Sequence, residues 1–240
     1  MPVGAGRYET RVAVVTGARR GIGKVIATHF LAEGAQVIGF AREAATLEHD
    51  RYVHFTLDVG DDEAVRAAFR DIGRRFASLD ILVNNAAVLT SQYALLMPAS
   101  KAREMVTTNI LGTLFVSREA AKLMGRRKYG RIINIGSMAA ALEPPGDSVY
   151  AATKAAAMTL AGVLAKEFAG FNITCNTLGI SAFPSDMFEQ LPREKIEAVV
   201  ATLPLPRVAT ADDILNVIDF FASERSSYVT AQTVFLGGVH

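Results

Sequence analysis

Between residues 11 and 238, short apolar runs rich in β-branched residues alternate with longer stretches of helical period. No other feature of the chain restricts its fold as much. The runs are RVAVVTG (11–17), QVIGFA (36–41), YVHFTLDV (52–59), DILVNNA (80–86), GRIINIGS (130–137), FNITCNTL (171–178) and QTVFLGG (232–238). Strands this apolar are covered on both faces, and a strand–helix–strand repeat demands parallel strands joined by helical crossovers. The stretches between them carry helix signals. GKVIATHFLAEG ends on Gly34 as a C-terminal cap, DDEAVRAAFRDIGRRF has acids in its first turn and bases near its end, and TADDILNVIDFFAS opens on a capping threonine. A further long helix is expected over residues 100–124. The expected class is a doubly wound α/β fold: about seven parallel strands with helices on both faces, in three layers, α/β/α. No repeat, low-complexity tract or Pro/Gly/Ser-rich linker divides the 240 residues, so one domain over 1–240 is expected.

Half of the residues are hydrophobic and a fifth are charged, which suits a substantial core. A formal net charge of +1 provides no general field for nucleic acid or an anionic membrane, and neither partner is expected. No apolar run reads as long enough to span a bilayer, and MPVGAGRYETR lacks the apolar core of a secretory signal. The single cysteine, Cys175, excludes an internal disulfide and suits a reducing compartment, so the expected location is cytoplasmic. Its apolar surroundings make it a core thiol. No metal site is expected.

In doubly wound sheets ligands sit beyond the carboxyl ends of the strands, where the strand order reverses. The first strand runs into TGARRGIGK, with Thr16, Gly17, Arg19, Arg20, Gly21, Ile22 and Gly23 in sequence. Glycines here permit a tight turn and a close backbone approach to a diphosphate, and the helix start offers free N–H donors. The spacing is T-G-x-x-x-G-x-G, not the commoner G-x-G-x-x-G, and a plain strand-to-helix joint is the alternative. At the end of the second strand, Ala41 stands where an acid would bind the free 2′-hydroxyl of NAD, and Arg42 follows it. Arg42 and Arg20 are suited to paired hydrogen bonds with the 2′-phosphate of NADP. NADP(H) is therefore the expected cofactor, with NAD(H) as the alternative if both arginines are ordinary surface charges and Glu43 pairs with Arg42. After the third strand Asp58, followed by Val59, is placed to accept from the adenine amino group. After the fourth, Asn84, Asn85, Ala86 and Ala87 either fix the loop or contact adenosine.

The stretch SVYAATKAAAMTLAG (148–162) has the composition of a buried helix, yet it holds Tyr150 and Lys154 four positions apart. That spacing stacks a phenol and an ammonium on one helix face.

Together these pieces resemble the short-chain dehydrogenase/reductase family. The matching residues are TGARRGIG, Asp58, NNAA, Asn109, Ser137 and Tyr150-x-x-x-Lys154, with Ser137 thirteen positions before Tyr150. The likeness continues through Gly179 to SSYVTAQTVFLGG, across essentially the whole chain. It implies a Rossmann-type domain that moves a hydride between a nicotinamide and a carbonyl or secondary alcohol. Tyr150 would be the proton donor; its ordinary pKa is about 10, and a neighbouring Lys154 charge should lower it toward working pH. Lys154 would also bind the nicotinamide ribose. Ser137 would orient the substrate oxygen, and Asn109 would hold a water that relays protons to Lys154, with an internal backbone clamp as its alternative role. Ile180 would contact the nicotinamide amide through its backbone. A homotetramer or dimer is also implied, and the alanine-rich residues 151–165 suit close helix packing in it.

The chain departs from the family pattern at three places. Ala87 replaces a glycine, Leu178-Gly179 replaces Pro-Gly, and the segment that follows is two residues longer before Ser185, aligned with the family's threonine for the nicotinamide carboxamide. A substrate lid is expected near 180–206, with Phe183, Met187, Phe188 and Leu191 facing Leu89, Met138 and Leu142 as an apolar wall. Among relatives the layout is most like the 3-oxoacyl-[acyl-carrier-protein] reductases, and the basic run Arg126–Lys128 would suit an acidic carrier. Against that, Phe171 stands where those enzymes tend to have a base. The short segment after the second strand keeps open an NAD(H)-dependent dehydrogenase of a small cyclic alcohol, dihydrodiol or sugar. A cofactor-sensing regulator and a structural subunit of a heteromeric reductase are the non-enzymatic alternatives.

Overall fold

The computed structural model describes residues 6–184 and 193–239. Seven parallel strands form one sheet in the order β3-β2-β1-β4-β5-β6-β7. The strands are β1 (Val12–Thr16), β2 (Gln36–Ala41), β3 (Tyr52–Thr56), β4 (Ile81–Asn84), β5 (Gly130–Ser137), β6 (Ile173–Ile180) and β7 (Thr233–Phe235). The helices are α1 (Gly21–Ala32), α2 (Asp62–Arg75), α3 (Ala99–Val106), α4 (Thr113–Met124), α5 (Ala139–Leu142), α6 (Ser148–Glu167), α7 (Arg193–Thr202) and α8 (Ala211–Ala222). The order reverses between β1 and β4, which is where a doubly wound sheet opens a crevice.

Because successive strand residues point to opposite faces, each strand feeds two cores. Val14, Ile38, Leu82, Ile132 and Cys175 face α2, α4 and α6, where they meet Val65, Phe69, Val116 and Leu164. Ala13, Val15, Val37, Val83, Ile133 and Leu178 face α1 and α8, against Ile26, Phe30, Ile214, Ile218 and Phe221. Each large apolar side chain enclosed in this way contributes roughly 1.5–3 kcal/mol. Cys175 is part of the first core, and burial pushes its thiol up to about 12, so it is an inert packing group.

Helix ends follow the sequence signals. Asp61 accepts from the amides of Glu63 and Ala64 to cap α2. Thr210 and Asp213 close a reciprocal capping box on α8. Gly34 follows α1 at φ +95°, a conformation other residues rarely adopt.

Four expectations about the elements need correction. The helix expected over 100–124 is α3 and α4 joined by a π-helical turn, Thr107–Gly112. β6 reaches Ile180, two residues beyond the expected end, because it pairs with the whole of β5 through Ser137. β3 ends at Thr56, before Leu57, Asp58 and Val59. The last strand is only Thr233–Phe235, since Gly237 and Gly238 take positive φ and turn the chain. In addition α6, by length and composition, is apolar enough to cross a membrane, contrary to the sequence reading. Here it packs along β5 and β6 as a core helix, burying Ala157, Ala161 and Leu164.

Candidate active site

A cavity of about 450 Å³ opens at the carboxyl ends of β1, β2, β4, β5 and β6. Its floor begins at the glycine turn. Gly17 takes φ +67° and its amide donates to the Phe40 carbonyl at 2.7 Å. A β-carbon at Gly17 would lie 2.7 Å from Asn85 Nδ2, and one at Gly23 would lie 2.2 Å from the Gly17 carbonyl oxygen. Gly23 does not line the cavity; its bare Cα lets α1 start tight against the turn. Arg20, the residue before α1, makes no side-chain cap to the first-turn amides of α1.

Thr16 and Asn85 hold this turn to β4. Thr16 Oγ1 accepts from the amides of Asn85 and Ala86, both at 2.9 Å, and Asn85 Nδ2 donates to the Thr16 carbonyl at 2.9 Å. Asn84 faces the core instead, donating to Ser117 Oγ at 2.8 Å and Asn134 Oδ1 at 2.9 Å. Loop fixation describes the Asn85 side chain, which also lines the cavity, whereas Asn84 ties β4 to α4 and β5.

Gly17, Arg19, Arg20, Gly21, Ile22, Ala41, Arg42, Asp58, Val59, Asn85, Ala86, Ala87 and Ile180 all line the cavity. Asp58 also accepts from the Gly60 amide at 2.8 Å. Gly179 does not line it. It lies inside β6, where a β-carbon would fall 2.2 Å from the Phe235 ring, so its glycine serves packing. Ser185, with Met187, Phe188 and Leu191, lies outside the described residues. Glu43 pairs with Arg19 at 2.9 Å and not with Arg42, whose partner is Glu104 at 3.5 Å.

At the other end, Ser137 terminates β5 and hydrogen-bonds the Tyr150 side chain. Ser137 Oγ also accepts from the Ala139 amide at 3.2 Å. Tyr150 and Lys154 lie on the first turns of α6, both buried. Lys154 Nζ donates to the Ile135 carbonyl at 2.7 Å and sits 5.8 Å from the centre of the Tyr150 ring. Burial draws Lys154 down to about 8 and pushes Tyr150 up to about 12; the Ser137 hydrogen bond opposes the rise and Asp147 adds to it. The sequence expectation of a lowered phenol is thereby reversed, because taking a phenolate out of water is the largest influence on Tyr150.

Asn109 does not line the cavity. Its side chain accepts from the Val88 amide at 2.9 Å and donates to the Val88 carbonyl and Thr153 Oγ1, each at 3.0 Å. With both N–H groups used, the amide acts as an internal clamp that joins the loop after β4 to α6. The π-helical turn is what aims it there, one of the few irregularities in a long helix. Sequence reasoning missed Lys101, Glu104, Thr108 and Asp147, which also line the cavity. Their signal was positional: the first three lie just before Asn109 along α3 and the π-helical turn, and Asp147 directly precedes α6.

An apolar part of the wall is formed by Val88, Leu89, Met138, Leu142, Phe183 and Ile196, with the polar Thr90 and Ser181 also lining the cavity. The basic run Arg126–Lys128 is exposed at the start of β5, about 25 Å of strand length from Ser137.

The profile of the family described as "short chain dehydrogenase" matches residues 11–196. The chain is 32% identical to the 3-oxoacyl-[acyl-carrier-protein] reductase of Haemophilus influenzae over 234 residues, covering 95% of this chain and 97% of that one. It is also 32% identical to the 2-dehydro-3-deoxy-L-rhamnonate dehydrogenase (NAD(+)) of a Sphingomonas species over 244 residues, covering 99% and 98%. Among solved structures, a gluconate 5-dehydrogenase from Burkholderia cenocepacia in complex with NADP and tartrate superposes with a TM-score of 0.91 at 29% identity, covering 97% and 95%.

Proposed function

The chain belongs to the short-chain dehydrogenase family and is an NAD(P)-dependent oxidoreductase of it; on that premise we propose that it uses NADP(H) to reduce an apolar ketone of the 3-oxoacyl kind. The observation that carries this reading is one continuous cavity that joins the glycine turn to Ser137, Tyr150 and Lys154. The residues present fit a dinucleotide. Gly17 and Gly23 let the turn close tightly against Asn85 and the start of α1, and Arg20 and Arg42 supply guanidinium groups beside the expected 2′-phosphate. Lys154 would hold the nicotinamide ribose, and Ile180 the carboxamide through its backbone.

A bound nicotinamide supplies the hydride; this chain's residues manage the proton and the oxygen. Ser137 and Tyr150, already hydrogen-bonded to each other, present two hydroxyls to one carbonyl oxygen. Tyr150 gives its proton to that oxygen as negative charge develops, and Ser137 donates to it through the transition state. Lys154 stabilises the phenolate left behind, and its position is fixed by the Ile135 carbonyl. Asn109 positions the loop after β4 against α6.

Leu89, Leu142, Phe183 and Ile196 favour an apolar chain next to the reacting carbonyl. A second reading, oxidation of a small polyol, draws support from the rhamnonate-dehydrogenase relative of equal identity. A homotetramer is in keeping with the exposed, small-residue face of α6 formed by Ala152, Ala155 and Thr159. The test is a panel of acyl thioesters, cyclic ketones and aldonates with NADPH and NADH, followed by nicotinamide absorbance. Thioester reduction by NADPH is expected, and Tyr150→Phe should lower it at least ~10²-fold while still binding cofactor. Turnover confined to aldonates, or full activity in Tyr150→Phe, would overturn the reading.

A further inference from the structure

The adenosine end of the cavity carries an arrangement of charge that the proposed function does not use. Arg42 follows β2 on one side of the cavity, and Glu104 stands on α3 on the other. Glu104 Oε1 reaches Arg42 Nη1 at 3.5 Å, and its Oε2 accepts from Lys101 Nζ at 2.9 Å. The three side chains thus form a strap from the sheet to α3 across the cavity wall. A parallel pair, Arg19 with Glu43, lies on the glycine-turn side.

Neither end of the Arg42–Glu104 pair is enclosed: the side chains keep 56% and 36% of their exposure. An ion pair this solvated is weak and exchangeable. The Glu104 carboxyl is nevertheless held below its usual range, chiefly by the Lys101 hydrogen bond, and so is charged at neutral pH. A ribose hydroxyl beside Arg42 carries no charge and does not compete with that carboxylate for the guanidinium. A phosphate dianion is not, because it seeks the same guanidinium and carries the same sign.

We infer that Glu104 is a specificity-determining residue, setting the preference between NADPH and NADH by competing with the 2′-phosphate for Arg42. The inference rests on the proposed NADP(H) reading and sharpens it. Arg42 attracts the phosphate, Glu104 limits how strongly it does so, and Lys101 is released toward the phosphate when the strap opens. The chain then discriminates less sharply between the two cofactors than its arginines alone would dictate.

The test is a fluorescence titration of NADPH and of NADH into wild type, Glu104→Gln, Arg42→Gln and the double variant. Glu104→Gln keeps the side chain's size and removes its charge. It should tighten NADPH by ~fivefold, about 1 kcal/mol, and leave NADH within ~twofold. The gain should vanish in the Arg42→Gln background, and it should shrink as salt is raised to about 1 M. If Arg42→Gln selectively weakens NADPH but Glu104→Gln leaves the preference unchanged or lowers it, the competition is refuted and the NADP(H) reading stands. If Arg42→Gln alters neither cofactor and wild type prefers NADH, both fall together.

Discussion

Lys154 gives the sharpest test of how this cleft works, because its stability and its chemistry pull in opposite directions. Burial lowers its pKa from 10.5 to about 8. At roughly 1.4 kcal/mol per unit, that depression means the charged side chain destabilises the fold by about 3 kcal/mol near pH 7. Replacing it with methionine, of similar length and no charge, removes this penalty. The same change strips the Ile135 carbonyl of its 2.7 Å partner, a loss of ~1–2 kcal/mol. Lys154→Met should therefore stabilise the cofactor-free protein by ~1–2 kcal/mol at neutral pH, raising Tm by ~2–8 °C in a domain of this size. Turnover should meanwhile fall by at least ~10²-fold, an exchange of function for stability common at active sites.

The pH dependence carries the sign. Between about 8 and 10.5 Lys154 is neutral in the folded chain and protonated in the unfolded one. The unfolded state binds the extra proton, so wild-type stability rises with pH through this window. The penalty is complete below about 8 and gone above 10.5. Urea unfolding of both proteins near pH 7 and near pH 10.5 should show the methionine variant ahead at the first and level or behind at the second. A variant less stable than wild type at neutral pH, or a gap that ignores pH, would refute the idea that Lys154 is a buried, strained charge.

Two glycine substitutions should behave oppositely. In Gly23→Ala the new methyl would meet the Gly17 carbonyl at 2.2 Å, a backbone atom that cannot swing aside. Cofactor affinity should fall at least ~tenfold in a binding titration. Gly162→Ala, within α6 with nothing inside 4 Å of the new atom, should raise stability by ~0.5–1 kcal/mol in urea unfolding.

The sheet is legible in the sequence because parallel strands covered on both faces leave uninterrupted apolar runs, and Val14, Ile38, Leu82 and Ile132 sit where those runs imply. The cavity residues are legible for a related reason: chemistry collects where strands end, and Arg42, Asp58, Asn85 and Ser137 each follow or close a strand. The rest depends on geometry that no local pattern encodes. The π-helical turn adds nothing to composition, yet it decides that Asn109 binds Val88 and Thr153 instead of facing the cavity. The partner of Glu43 is not its neighbour Arg42, because adjacent residues diverge on either side of a strand end while Arg19 and Glu104 arrive from other elements. Gly179 reads as a binding glycine in the sequence, and only the path of Phe235 reveals the packing it serves.

The reversal at Tyr150 bears on how the proton is stored. A phenol pushed up to about 12 beside an amine drawn down to about 8 sheds the pair's first proton mainly from Lys154. Below about 8 the cleft rests as phenol and ammonium, the form that reduction consumes. Reduction should hold level up to that pH and then decline, whereas alcohol oxidation should climb to the same point and level off, since the two directions start from opposite protonation states of one pair. Rates alone do not reveal which group lost the proton; tyrosinate absorbance does. The ultraviolet difference spectrum of wild type against Tyr150→Phe should show no phenolate rising near a pH of about 8. A Tyr150 phenolate with its midpoint there would mean that the ammonium's charge prevails over burial, and that α6 prepares a base where this geometry gives an acid.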